Sequence, residues 1–209
     1  MIDINHQINA VRRTVGTLVL EAGEAKVVTV SQWYPTDPAD LWDACTNIER
    51  IPRWFLPVSG DLREGGQYQL EGNANGTILT CRPPHEFTAS WEYGGAISWI
   101  EVRIIGEGLA RSRLELQHIA HIDDHWEQFG PGAVGIGWDL GLVGLAIHLS
   151  TGESLDPAFG QQWTATDDGR RFMQLCSDAW CTADVAGGAD RERARQAADR
   201  TTAAYLAEA

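Results

Sequence analysis

The feature that most constrains the fold is an apolar, glycine-rich stretch at residues 130–149. Its larger apolar side chains recur at helical spacing: Val134, Trp138, Leu142, Leu145 and Leu149. A second helical stripe is almost bare: Gly130, Ala133, Gly137, Gly141 and Gly144. Each glycine inside a helix costs about 0.5–1 kcal/mol relative to alanine, so this helix must gain from its missing side chains. We therefore predict a long helix that lies close to another backbone or beside a ligand.

Two other interpretations of the stretch are less favoured. Its length and apolarity approach those of a membrane span, but Asp139 and His148 interrupt it and no basic flank precedes it. Residues 130–135 match the dinucleotide fingerprint GxGxxG, yet no strand-like run follows, as a βαβ unit requires. We therefore expect neither a membrane partner nor a bound dinucleotide, and no other motif predicts a cofactor.

Charge and cysteine spacing limit the partners and the compartment. The formal net charge of −13 would repel phosphates, which disfavours nucleic acid and anionic membranes as partners. The first thirteen residues are polar and contain no apolar run typical of a secretion signal. The four cysteines lack zinc-site spacing, which favours reduced thiols. We expect a cytoplasmic protein without a metal site.

The segments before the glycine-rich stretch are predicted to be mainly strands. Residues 14–20 and 26–33 form a hairpin pattern, and a helix follows with Asp37 as N-cap and Pro38 in its first turn. Five further runs alternate with period two: 67–72, 76–82, 86–93, 96–105 and 110–122. The links between them are short and rich in turn residues, which predicts an antiparallel meander.

The C-terminal segment has a different character. Residues 164–186 and 190–207 carry partly apolar faces at helical spacing and are separated by Gly187 and Gly188. This pattern predicts an αα-hairpin that docks on the domain or pairs two copies as a homodimer. The resulting organisation is a loose lead-in at 1–13, one domain at 14–155 and a helical extension at 156–209.

Several short strings between residues 27 and 152 carry a family resemblance. They are PADLWDA at 38–44, RWFLP at 53–57, GGQY at 65–68, PPHEF at 83–87 and ASW at 89–91. In this order they resemble the activator-of-heat-shock-protein-ATPase homologues, which belong to the START-like (SRPBCC) superfamily. The resemblance implies an α+β helix-grip fold, in which a curved antiparallel sheet wraps a long helix and leaves a cavity. The C-terminal helical hairpin lies outside this shared core and resembles an extension found in some bacterial members.

Strand phase identifies the side chains that would face the helix. Phe87, Trp91, Ile100, Leu116 and His118 share the inward phase of their strands. His118 is the one titratable side chain in that phase on the last three strands, and such a histidine is more often a hydrogen-bonded cavity residue than a catalyst. The full predicted lining comprises Trp54, Phe55, Tyr68, Phe87, Trp91, Ile100, Leu116, His118, Trp138 and Leu142.

These patterns favour a non-enzymatic module that binds a small hydrophobic molecule. One alternative is a cyclase- or hydrolase-like enzyme that uses His118 as acid or base, although no second titratable residue shares its phase. Another is a co-chaperone with a chaperone partner, as the family name suggests, although no partner-docking segment is recognisable. The cluster of His121, Asp123, Asp124 and His125 is expected to begin a helix rather than bind a metal.

Overall fold

The structure is a computed structural model that describes residues 3–108, 110–156 and 159–208. The strands are β1 Arg12–Leu20, β2 Gly23–Tyr34, β3 Val58–Gly60, β4 Gln67–Leu70, β5 Asn75–Arg82, β6 Glu86–Tyr93, β7 Ala96–Gly106 and β8 Ser112–His121. The helices are α1 Ile4–Ala10, α2 Pro38–Thr46, α3 Asp124–Phe129, α4 Gly132–Thr151, α5 Phe159–Thr164, α6 Asp167–Ala186 and α7 Arg191–Glu208.

The strands form one eight-stranded antiparallel sheet in the order β1-β2-β8-β7-β6-β5-β4-β3. This curved sheet, together with the long helix α4, confirms the expected helix-grip fold. The predicted hairpin and meander are also confirmed, because each strand pairs with its sequence neighbour through a short turn from β3 to β8. Strand β3 was missed, since three residues are too few to show a period.

The N-terminal segment corrects one expectation. Residues 1–13 were expected to be a loose lead-in, but Ile4–Ala10 form a helix and Arg12 begins β1. The Asp3 carboxylate accepts a hydrogen bond from the backbone N–H of His6 at 2.9 Å, which caps the helix. Ile4 and Gln7 are buried, so tertiary packing stabilises a helix too short to show a pattern in sequence.

The chain divides into two compact units. The first comprises Met1–Val30, His121–Leu140 and Ala158–Ala209, and the second comprises Ser31–Ala120 and Gly141–Pro157. Both are discontinuous in sequence. The predicted division at residues 13 and 155 stays a prediction.

In the first unit, α6 and α7 form the predicted αα-hairpin. Gly187 ends α6, and the Ser177 hydroxyl joins the two helices by donating to the Ala198 carbonyl at 3.0 Å. Phe172 and Trp180 are fully buried, and α6 packs against β1 and α1. The hairpin therefore supplies a large part of the core of this unit.

A buried ion pair lies at the centre of the first unit. Asp139 has no exposed surface and accepts two hydrogen bonds from the Arg13 guanidinium, at 2.8 and 3.1 Å. The indole N–H of Trp180 donates to the same carboxylate at 2.9 Å. Burial raises the pKa of Asp139, while Arg13 and Trp180 oppose that shift. Asp139, which in sequence only interrupts an apolar run, thus joins α4, β1 and α6.

The glycines of α4 allow close packing, as predicted. A Cβ atom at Gly135 would overlap the Trp180 ring in the first unit, and one at Gly144 would overlap the Trp54 carbonyl oxygen in the second. Gly137 differs, because a Cβ there would meet only the Tyr205 hydroxyl at 3.5 Å, an ordinary contact. The helix itself is shorter at its start than expected, since Gly130 has a φ of 62° and ends α3.

Among the described residues, α4 is also the one helix long and apolar enough to cross a membrane. Its most apolar window is 56% buried within the protein. Asp139 and His148 are both buried on this helix. This is the behaviour of a core helix in a helix-grip fold, which satisfies the same length and composition test.

Candidate ligand-binding site

The strand register places the predicted inward residues on one face of the sheet. Ile100 lies opposite His118, and Val102 lies opposite both Phe87 and Leu116. Ile100, Val102, Leu116 and His118 are buried, whereas the Phe87 ring is half-buried. The inner face of β6, β7 and β8 is therefore an apolar floor with one imidazole.

One strand departs from simple alternation in burial. Ile119 has the outward phase of β8, yet it is buried at 7% exposure. It pairs with the half-buried Trp99 on the same outer face. Strand phase alone could not indicate this burial.

Burial keeps the His118 ring neutral, and Ser98 determines which ring nitrogen carries the proton. The Ser98 hydroxyl has one hydrogen, which it donates to the Trp91 carbonyl at 3.0 Å, so it accepts from Nε2–H of His118 at 2.9 Å. Burial lowers the pKa of His118 from 6.5 to about 4. The ring is therefore neutral at physiological pH, with its proton on Nε2. Ser98 was not among the predicted site residues, and its role as the partner of His118 was missed.

Aromatic rings lie around this floor. Trp91 approaches His118 edge-on at 5.9 Å, and Trp42 of α2 approaches Phe87 edge-on at 6.1 Å between ring centroids. All three aromatic side chains, Trp42, Phe87 and Trp91, are only half-buried. Trp42 was not among the predicted site residues, because its position beside Phe87 depends on how α2 packs on the sheet.

Trp54 and Phe55 lie against the glycines of α4. Their rings are 5.4 Å apart, and the Trp54 indole N–H donates to the Ala44 carbonyl at 2.9 Å. A Cβ at Gly141 would approach the Phe55 ring at 3.2 Å. The bare stripe thus accommodates this aromatic pair, and both rings keep partly exposed surfaces.

The remaining predicted residues differ in what they can contribute. Tyr68 is buried and donates its hydroxyl proton to the Ser90 carbonyl at 2.7 Å, so its polar end is used within the protein. Leu142 is buried in the second unit. Trp138 is half-buried and belongs to the first unit, and its place in the site stays a prediction.

Tyr34, which was not predicted, places a polar group on the inner face. Its neighbour Trp33 lies on the outer face under the guanidinium carbons of Arg111 and Arg113, at 4.3 and 5.7 Å from the ring centroid. Adjacent strand residues point to opposite faces, so Tyr34 points inward. Its hydroxyl is buried and has no hydrogen-bond partner among the described residues. Burial, with a smaller contribution from Cys45, raises the pKa of Tyr34 well above its usual value.

The acidic cluster after β8 behaves as a helix start. The Asp123 carboxylate caps α3 by accepting from the backbone N–H of Trp126 at 2.8 Å. Within residues 3–108, 110–156 and 159–208, no three His, Cys, Asp or Glu side chains are grouped so as to hold a metal ion.

Known proteins resemble the chain in both sequence and structure. The sequence profile described as activator of Hsp90 ATPase homologue 1-like protein matches residues 35–145. CalU16 from Micromonospora echinospora is 34% identical, and its crystal structure covers 83% of this chain and 98% of its own, with a TM-score of 0.68. Its solution NMR structure covers 86% and 97%, with a TM-score of 0.72. No curated protein sequence matches significantly.

Two more distant structures share the fold alone. EF2215 from Enterococcus faecalis is 10% identical over 86% of this chain and 95% of its own, with a TM-score of 0.61. DynU16, a putative protein in the dynemicin biosynthetic locus, is 18% identical over 61% of this chain and 48% of its own, with a TM-score of 0.55.

Proposed function

Because the chain belongs to the activator of Hsp90 ATPase homologue 1-like protein family, we propose that it uses the helix-grip fold to bind a small, mainly apolar molecule. The observation that carries this proposal is the incomplete burial of Trp42, Phe87 and Trp91 above a buried apolar floor. Aromatic surface left accessible beside a buried floor is surface that a ligand can cover. Covering it would contribute about 25 cal/mol per Å² before the costs of ordering.

The polar groups of the site favour an uncharged ligand. The floor of Ile100, Val102 and Leu116 offers no countercharge, and His118 is neutral with its Nε2 proton donated to Ser98. Moving a charged group onto such a surface would lose hydration without compensation.

The state of His118 weighs against the enzymatic alternative. A general acid or base works best with a pKa near the operating pH, whereas burial lowers the pKa of this histidine to about 4. Its Nε2 proton is also used by Ser98 at 2.9 Å. Both features suit an imidazole that orients a ligand better than one that transfers protons.

The proposal is tested first on the purified full-length protein. Native mass spectrometry should detect a small molecule that co-purifies and leaves on denaturation. Added fluorene, an uncharged tricyclic hydrocarbon, should quench tryptophan emission and raise the melting temperature, since a ligand of the folded state stabilises it.

A matched pair of variants locates the binding. Leu116→Trp should fill the inner face and abolish both the quenching and the thermal shift. Gln117→Trp adds the same ring to the next residue, on the outer face, and should bind fluorene as the wild type does. Trp91→Leu, which removes a half-buried ring instead of adding one, should weaken binding even if Leu116→Trp folds poorly.

Two results would overturn the proposal. One is the absence of both a co-purifying molecule and any response to fluorene. The other is equal loss of binding in the two tryptophan variants at unchanged melting temperature. Either would favour a protein partner of the kind that the family name describes.

A further inference from the structure

The hydroxyl group of Tyr34 in the second unit is unusual because it is a buried polar group that has no hydrogen-bond partner within the described part of the chain. Leaving a buried hydroxyl without a partner is energetically unfavourable, so most such groups in proteins are paired. The other inward-facing polar groups described above are satisfied: Tyr68 donates to Ser90, and His118 donates to Ser98.

The position of Tyr34 connects this hydroxyl to the candidate site. The Ser112 hydroxyl donates to the Thr36 carbonyl at 2.8 Å, which fixes the end of β2 beside the start of β8. Tyr34 points to the inner face there, whereas His118 lies six residues further along β8 from Ser112. At about 3.3 Å per residue the two ends of this inner face are roughly 20 Å apart along the strand. The face therefore carries a polar group near each end and apolar side chains between them.

Helix α2 lies near Tyr34. Cys45 of this helix adds, after burial, to the rise in the pKa of Tyr34. Burial raises the pKa of the Cys45 thiol to about 12, so it is protonated and presents no charge. Trp42, one turn earlier on α2, contacts Phe87. The unpaired hydroxyl and the Phe87 ring thus both lie near α2.

We infer that Tyr34 is the hydrogen-bond donor that selects ligands carrying a carbonyl or ether oxygen, an inference that rests on the proposed binding function. An oxygen atom on an otherwise apolar ligand would accept a hydrogen bond from the Tyr34 hydroxyl, so that neither group remains unpaired. A hydrocarbon of the same shape leaves the hydroxyl unpaired. Tyr34 therefore sets the chemical class of the ligand, while the aromatic rings supply most of the buried area.

The test uses two probes with the same ring skeleton, fluorene and 9-fluorenone, which differ by one carbonyl group. Dissociation constants for both are measured with the wild type, Tyr34→Phe and Tyr93→Phe. In Tyr34→Phe the preference for fluorenone over fluorene should fall about tenfold, the effect of one lost buried hydrogen bond. Tyr93 is 60% exposed on β6, so Tyr93→Phe should leave the preference unchanged.

A second readout reports the hydrogen bond directly. The infrared carbonyl band of bound fluorenone should lie at lower frequency in the wild type than in Tyr34→Phe. The melting temperature of ligand-free Tyr34→Phe should equal or exceed that of the wild type, because the variant removes an unpaired hydroxyl. A marked loss of stability would show that the hydroxyl has a partner within the protein and would contradict the inference.

The outcomes separate the two proposals. If both probes bind but Tyr34→Phe changes neither the preference nor the carbonyl band, the inference fails and the proposed function stands. If neither probe binds the wild type, the binding function fails and the inference fails with it.

Discussion

The buried ion pair between Arg13 and Asp139 makes a quantitative prediction. In Asp139→Asn the side chain keeps its size but loses its charge, so the guanidinium of Arg13, which is 5% exposed, remains buried without a counterion. Arg13 cannot move away easily, because it also donates to the carbonyls of Ile8 and Val11 at 3.0 and 3.1 Å. Breaking one side of a buried pair costs about 3–5 kcal/mol. For a chain of this length, that corresponds to a melting temperature lowered by roughly 6–20 °C.

The measurement is urea unfolding of the wild type, Asp139→Asn, Arg13→Met and the double variant Arg13→Met/Asp139→Leu. The double variant replaces both charges by apolar groups and should recover much of the loss, since no uncompensated charge remains. Glu107→Gln serves as control, because Glu107 pairs with Arg111 on the surface and should contribute below about 1 kcal/mol. If Asp139→Asn is no more destabilising than Glu107→Gln, the reasoning from burial is refuted.

Two further predictions concern α4 and the candidate site. Gly144→Ala should destabilise the protein by about 1–3 kcal/mol, because the added Cβ meets the Trp54 backbone carbonyl. Gly137→Ala should be neutral or stabilising by up to about 1 kcal/mol. Denaturation midpoints compare the two variants, and equal effects would contradict the predicted packing. His118 is protonated near pH 6.5 when unfolded but only near pH 4 when folded, so the unfolded state binds more protons as the pH falls. The free energy of unfolding should therefore fall by about 3 kcal/mol more in the wild type than in His118→Gln between pH 6.5 and 4. NMR titration of the imidazole gives the pKa of His118 in the folded protein, and a value near 6.5 would refute this prediction.

Local patterns in the sequence predicted much of the fold. The phase of β6, β7 and β8 could be read because alternation over eight or more residues distinguishes the two faces. The start of α2 could also be read, since Asp37 and Pro38 are cap residues and Asp37 does accept from the N–H of Ala39 at 2.9 Å. These features depend on near neighbours in the chain.

The features that were missed depend on residues far apart in sequence. Asp139 gives no sign of its partner, because Arg13 lies 126 positions away. Trp42 joins the candidate site only through the packing of α2 on the sheet, which no periodicity encodes. Tyr34 was missed because it lies one residue beyond the strand predicted at 26–33. Helix α1 was missed because its seven residues are stabilised by tertiary burial rather than by an amphipathic pattern.

The arrangement around Asp139 also sets an order of events during synthesis. Arg13 emerges from the ribosome first, its countercharge follows 126 residues later, and the indole that completes the cluster follows after a further 41. The core of the first unit therefore cannot close until most of the chain has been made. By contrast, residues 31–120 of the second unit are contiguous and can form their strands while translation continues. Translation that stops between Asp139 and Trp180 would thus leave the pair of Arg13 and Asp139 without the indole N–H that completes its buried cluster.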